Sequence, residues 1–185
     1  QLAARRARNR LYVELATTID DIRASQALRY QVFAEELGAT VKGAEHGHDE
    51  DGYDPYCQHL LVRESGSGRI VGSTRLLLDG QARKAGGFYS ASEFDLEPIL
   101  DLPGRRLEVG RTCIDPAFRQ GAAIAVLWSG MAEFVKNHQV DWLFGCASIE
   151  MDDGGVVAQA IMNRVRQYAL TDPDCRVVPH SPLPA

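Results

Sequence analysis

The sequence predicts an α/β (α+β) fold in which helices cover both faces of one mixed β-sheet. Three observations carry that prediction. Two β-type runs, His59–Arg63 and Arg69–Leu78, are joined by Glu64-Ser65-Gly66-Ser67-Gly68, which has the composition and length of a hairpin turn. The second half then alternates strand, helix, strand and helix, the pattern of elements that lie on a shared sheet. Finally, the 119–137 segment places Ile124, Leu127, Trp128, Met131, Phe134 and Val135 at helical spacing, so one side of it must be covered.

Taken in order, Leu11–Leu15 alternates well enough for a first strand. A helix follows, capped by Asp20 or Asp21, with Ile22, Leu28, Val32, Phe33 and Leu37 on one face and Gly38 closing it. Residues 40–58 are polar and glycine-containing and read as a long ordered loop. After the hairpin, Gly86-Gly87 breaks the chain and 88–100 reads as short helical or irregular pieces. Leu107–Ile114 is a strand stopped by Asp115-Pro116, and Arg119–Asn137 is the strong helix. Trp142–Ser148 reads as an apolar strand and Val156–Tyr168 as a second amphipathic helix. The ending from Pro179 to Ala185 is too proline-rich for a closing strand or helix.

Composition narrows the class. The 185 residues are 45% hydrophobic and 24% charged, enough to bury a substantial core in one domain spanning 1–185. No apolar run approaches the ~18 residues that cross a bilayer, and the N-terminus has no secretory apolar region. Cys57, Cys113, Cys146 and Cys175 are widely spaced and read as reduced thiols of a cytoplasmic protein. A net charge of −5 argues against attraction of the molecule as a whole to nucleic acid or anionic lipid. Basic residues cluster locally at Arg5, Arg6, Arg8 and Arg10, at Arg105-Arg106 and at Arg164–Arg166, which suits a small acidic partner better than a long polyanion. There is no GxGxxG and no GxxxxGK[ST], so nothing in the sequence supports a dinucleotide or P-loop site.

The stretch from Leu107 to Pro116 carries the most chemistry. Strict alternation puts Glu108, Gly110 and Thr112 on one side and Val109, Arg111 and Cys113 on the other. Charges in the middle of an apolar strand are expensive unless paired or used, and a partly desolvated Glu108 suits a general base. Arg111 reads either as functional or as half of a structural ion pair. Arg119-Gln120-Gly121-Ala122-Ala123-Ile124 opens the long helix with one glycine where an anion-cradling turn needs more small residues. The loop Glu45–Asp54 has the look of a metal site, but an EF-hand starting at Asp49 would have Leu60 at its twelfth position. His46 and His48 lack a third ligand at zinc spacing. We expect no metal, and Asp51 and Asp54 as partners for Arg29 and Arg75. Cys113 and Cys146 read as buried small residues before nucleophiles.

The strand order is similar to that of the GNAT acyltransferases. Leu28–Phe33, Asp51–Asp54, Gly72–Leu77, Gly87-Phe88-Tyr89-Ser90, Leu107–Pro116 and Leu143–Ser148 together resemble the bacterial L-ornithine N-alpha-acyltransferases over nearly the whole chain. That family makes lyso-ornithine lipid from a 3-hydroxyacyl group carried by acyl carrier protein. It is in turn similar to the acyl-homoserine-lactone synthases, whose charged pattern falls here on Arg29, Phe33, Asp51, Asp54, Arg75, Glu108 and Arg111. The tryptophan those synthases carry after the phenylalanine is absent from residues 34–41, which argues against a lactone-forming acceptor site.

The resemblance implies an N-acyltransferase with Glu108 and Arg111 as catalytic residues. It implies that Arg29, Phe33, Asp51, Asp54, Arg75, Phe88 and Cys146 shape the substrate cleft, with the donor entering between the strands of Glu108 and Cys146. The donor is a phosphopantetheine-linked acyl thioester and no separate cofactor is expected. Partners are acyl carrier protein and a small amine, L-ornithine, whose second amine needs an acid such as Asp152 or Asp153. A lipid product places the protein at the inner membrane surface. Members of that family continue with further strands, so the chain reads as lacking a C-terminal extension. Two other readings stand beside this one: a synthase of another N-acyl amino acid or of an acyl-homoserine lactone, and a non-catalytic acyl- or carrier-protein-binding module.

Overall fold

A computed structural model describes residues 11–182; the arginines at positions 5, 6, 8 and 10, and residues 183–185 of the proline-rich ending, lie outside the described residues. The elements are β1 (Leu11–Leu15), α1 (Ile19–Tyr30), β2 (Gln58–Glu64), β3 (Ile70–Leu78), α2 (Asp79–Ala85), β4 (Phe94–Asp95), α3 (Glu97–Leu100), β5 (Arg106–Ile114), α4 (Ala123–Asn137), β6 (Trp142–Phe144), α5 (Val156–Tyr168) and β7 (Val178–Pro179). They form two compact units, one from residues 11–88 and Gly104–Phe144, the other from Tyr89–Pro103 and residues 145–182.

The first unit holds a five-stranded sheet in the order β1-β2-β3-β5-β6. The first four strands are antiparallel to their neighbours, and β6 joins β5 in parallel, so the sheet is mixed as the sequence predicts. Helices do cover both faces, and β2 shows why its interior reads as an unbroken apolar run. Leu60 and Val62 pack with Leu127, Met131 and Phe134 of α4. Leu61, pointing the other way, packs with Leu28 and Val32 on the α1 side. Gly130 sets the depth of α4, because a Cβ there would lie 2.5 Å from Val13 Cγ2 of β1. Ile124 and Trp128, expected on the covered face, are exposed instead.

Several boundaries differ from the sequence prediction for identifiable reasons. The cap of α1 is Thr18, two residues before the first of the predicted aspartates. Its hydroxyl accepts from the Asp21 N–H at 3.1 Å while the Asp21 carboxylate accepts from the Thr18 N–H at 3.1 Å. The helix does not run uniformly to Gly38. It widens into a π-helical segment over Gln31–Glu36, with the Leu37 N–H donating to Val32 C=O. Phe33, inside this segment, packs against the cluster of Leu28 and Val32. α2, unpredicted, follows β3 directly. α4 starts at Ala123 because Pro116–Phe118 forms a separate 3₁₀ turn before it. β6 ends at Phe144, four residues short of the predicted strand.

The second unit is built from short pieces and α5, whose bounds match the prediction. β4 and β7 pair antiparallel, Phe94 opposite Pro179 and Asp95 opposite Val178. The start of the proline-rich ending is therefore strand-paired after all, in a two-residue ladder where a missing N–H costs little.

Candidate active site

The α1 side of the sheet carries a buried network of charge. α1 places Gln26 (6% exposed) and Arg29 (1%) on its inward face; the loop before β2 supplies Asp49, Asp51 and Asp54, and β3 supplies Arg75. Arg29 Nε donates to Asp49 Oδ2 at 3.0 Å and its Nη1 to Asp54 Oδ1 at 2.8 Å. Arg75 Nη1 donates to Asp51 Oδ1 at 2.6 Å and to Asp54 Oδ1 at 3.0 Å. Gln26 Nε2 and the Asp51 N–H complete the shell of Asp54 at 2.9 and 3.1 Å. Asp54 is thus the hub, accepting from two arginines, an amide and the backbone.

Arg111 joins this network from β5, and it does so against the predicted alternation. Ser73 pairs with Cys113 but Arg75 pairs with Gly110, so β5 carries one extra residue across this stretch. Arg111 adopts φ +53°, a left-handed conformation uncommon for a residue with a side chain. The bulge brings Arg111 to the same side as Glu108. Its Nε lies 3.2 Å from Asp49 Oδ2 and its Nη2 3.8 Å from Asp51 Oδ2, with the guanidinium 5.9 Å from the Phe33 ring centre. At 29% exposed it is the most accessible of the network's three arginines.

Glu108 sits opposite Leu77 in the β3–β5 ladder, two residues from the Arg75–Gly110 pair, so its side chain shares the face of Arg75. It is 4% exposed. On its other side it pairs with Phe144, the last rung of the β5–β6 ladder. Phe88, also buried, meets Phe144 edge to face with ring centres 5.0 Å apart. β5 continues to Ile114 while β6 has ended, so the two strands part just beyond Glu108.

The electrostatics follow from burial and pairing. Burial alone would raise the Asp54 carboxyl, but the hydrogen bond and charge of Arg29, with Gln26 and Arg75, hold it far below the usual carboxylate range. Burial would lower Arg29 and Arg75; their aspartates outweigh it and raise both. His59, buried beneath the loop, has its pKa lowered chiefly by burial. Its Nε2 lies 3.2 Å from the Asp54 carbonyl, which only accepts, so Nε2 carries the hydrogen. His59 Nδ1 has no hydrogen-bond partner among the described residues. Burial pushes the thiols of Cys57 and Cys113 up to about 12, with the carboxylates of Asp54, Asp51 and Glu108 adding to the effect at Cys57. Such thiols stay protonated and are poor nucleophiles.

The structure therefore gathers Arg29, Phe33, Asp51, Asp54, Arg75 and Arg111 into one connected cluster, with Glu108 on the same face and Phe88 against its strand partner. Cys146 belongs to the second unit. It is exposed, not core, because β6 ends before reaching it, and its thiol donates to Ser90 Oγ at 3.3 Å. Asp153 accepts the N–H groups of Gly155, Val156 and Val157 at 2.8–3.1 Å, which is the work of a helix-start cap for α5. Gln26 and His59 carry no signal in the sequence, and Asp49 is weighed there only as the first residue of an EF-hand loop. Asp49 lies in the acidic loop, and its pairing with both Arg29 and Arg111 is the signal that spacing alone does not give. In the turn before α4, Arg119 is engaged by Glu36 through both terminal nitrogens at 2.5 and 2.6 Å.

A family model described as an acetyltransferase (GNAT) domain matches residues 28–129, more than half of the chain. The chain belongs to the GNAT acetyltransferase domain family. Among curated relatives, this GNAT domain is 38% identical over 184 residues to an L-ornithine N(alpha)-acyltransferase of Brucella abortus, covering 92% of this chain and 64% of that protein. It is 40% identical over 147 residues to the protein of the same name from Rhizobium meliloti, covering 75% of this chain and 50% of that one. The chain spans between 50% and 64% of the length of the curated relatives it matches. Among solved structures, the AHL synthase LasI superposes with a TM-score of 0.56 at 18% identity, covering 85% of this chain and 78% of that one, a likeness of fold.

Proposed function

We propose that this GNAT domain transfers a 3-hydroxyacyl group from acyl carrier protein to the α-amine of L-ornithine, giving lyso-ornithine lipid. The observation that carries the reading is a carboxylate, Glu108, buried at the last rung before β5 and β6 part, in a chain whose curated relatives are named for acylating ornithine. The donor is the thioester of a carrier-bound phosphopantetheine, entering where the strands part. The engagement of Arg119 by Glu36, and the lone Gly121 in that turn, favour a carrier-bound donor over one whose pyrophosphate needs cradling.

In the reaction, the amine nitrogen attacks the thioester carbonyl carbon and Glu108 accepts the amine proton, directly or through water. A backbone N–H in the 109–111 stretch donates to the oxyanion as it develops. The carbon–sulfur bond then breaks, and the carrier leaves as a thiol, taking the proton. No acyl-enzyme forms, consistent with the protonated state of Cys57 and Cys113. Arg29, Asp49, Asp51, Asp54 and Arg75 fix the loop against the sheet, and Arg111, as the most accessible guanidinium of the cluster, pairs with the acceptor's carboxylate. No helix among the described residues is long and apolar enough to cross a membrane. The lipid product is delivered by contact with the inner membrane surface.

The test is mass spectrometry of products after mixing the protein with 3-hydroxyacyl-acyl carrier protein and a panel of amines. N-acyl-ornithine as the dominant product is the expected result. A different acylated amine, such as another amino acid or a homoserine-lactone precursor, moves the acceptor assignment. Carrier binding without any product contradicts catalysis by this chain alone, and the same assay with residues added beyond Ala185 separates a missing C-terminal region from a carrier-binding module.

A further inference from the structure

The first unit also has a charged concavity, apart from the network described above. It is a cavity of about 460 Å³ bounded by α2, the start of β5 and the end of α4. Arg83 and Lys84 project from the last turn of α2, Arg105 and Arg106 from the start of β5, and His138 closes the far wall. Four permanent cations thus share one hollow in a chain whose net charge is −5. The carboxylates near them are few. Asp79 accepts the Arg106 N–H at 3.1 Å and faces its Nη1 at 3.4 Å, and Asp141 accepts the Arg105 N–H at 2.8 Å. Arg83, Lys84 and Arg105 make no ion pair among the described residues.

Two features separate this hollow from an ordinary solvated basic face. First, the cations converge from elements far apart in sequence, whereas a helix-end pair such as Arg83-Lys84 alone would be explained by the helix dipole. Second, two guanidiniums are already oriented. Arg105 Nη1 donates to the His138 carbonyl at 2.9 Å, a neutral partner that fixes direction without cancelling charge, and Arg106 is steadied by Asp79. Oriented guanidiniums with further donors beside a flexible ammonium suit a tetrahedral oxyanion, which accepts several charge-assisted hydrogen bonds at once. Cations crowded together also repel, and a bound dianion relieves that repulsion.

We infer that this hollow is a binding site for a phosphate group, either on a lipid headgroup or on a soluble phosphate compound. The experiment titrates the full chain with inorganic phosphate by calorimetry, then measures co-pelleting with phosphatidylglycerol–phosphatidylcholine vesicles against phosphatidylcholine alone. The expected result is saturable phosphate binding that weakens at least about tenfold in Arg83→Glu/Lys84→Glu and in Arg105→Gln. These exposed positions should leave the melting temperature near wild type. Pelleting with the anionic vesicles that phosphate competes away assigns the lipid headgroup; phosphate binding without pelleting assigns a soluble ligand. An absence of saturable phosphate binding, or unchanged binding in well-folded variants, overturns the inference.

Discussion

The two faces of the sheet both carry buried side chains but differ in chemistry. Under α4, Leu60, Val62, Val71, Leu76, Leu107, Leu127, Met131 and Phe134 form an apolar core. On the α1 side the sheet buries Arg29, Asp49, Asp54, Arg75 and Glu108, with a smaller apolar cluster at Leu28, Val32, Leu61, Ile70 and Cys113. Apolar packing stabilises directly, whereas buried ion pairs return little beyond their own desolvation cost. A fold that needed only stability would gain as much from hydrophobic residues in the second position. On the proposed function the α1 face is charged for its chemistry, and the difference tells which substitutions should separate stability from activity.

The largest stability effect is expected at the hub. Asp54→Ala leaves donors from Arg29, Arg75, Gln26 and the Asp51 backbone without their acceptor. It should cost about 3–5 kcal/mol and abolish activity, read by denaturant unfolding and product formation. Pairing it with Arg29→Met should cost less than the sum of the two single changes, because the orphaned charge is removed as well. Leu127→Ala on the other face should cost a comparable ~2–5 kcal/mol, yet leave turnover per folded molecule close to wild type. If Leu127→Ala silences the folded protein as fully as Asp54→Ala, the two faces do not differ in the way argued.

A smaller effect should appear with pH. His59 is held neutral in the fold while the unfolded chain takes up a proton near pH 6.5. Stability from this group is therefore present above about 6.5 and falls on acidification, by at most ~1.4 kcal/mol per pH unit. Asp54 stays ionised in the fold where unfolded aspartate protonates, so its contribution is present above about pH 4 and is lost below it. Unfolding measured from pH 8 to pH 3 should show both stages, and His59→Gln should remove the first. A wild-type profile flat between pH 7 and pH 5 would contradict the burial of a neutral His59.

Much of this was legible in the residues. The doubly covered β2 and β3 announce themselves as apolar runs, and α4 and α5 by their spacing. Glu108 and Arg111 stood out as charges within an apolar strand, while the full set from Arg29 to Arg111 came from the resemblance and not from patterning. What escaped the sequence shares one cause: a residue inserted into a regular pattern. The π-helical turn at Gln31–Glu36 interrupts the helix before Gly38, and the bulge at Arg111 turns it to the side of Glu108, where strict alternation puts it opposite. The helical insertion carries no glycine or proline to mark it, whereas the bulge has one mark, Gly110 beside Arg111. Cys146 misled in the other direction, since an apolar run of 142–148 looks like a strand whether or not a partner exists to pair all of it.

The central claim is that Glu108 is the base for acyl transfer, and Glu108→Gln tests it most directly because the amide keeps size and polarity while losing the ability to take a proton. The account predicts a melting temperature near wild type and a kcat for N-acyl-ornithine lowered by about 10²–10⁴, with carrier binding retained. A folded Glu108→Gln protein that turns over at the wild-type rate would contradict it.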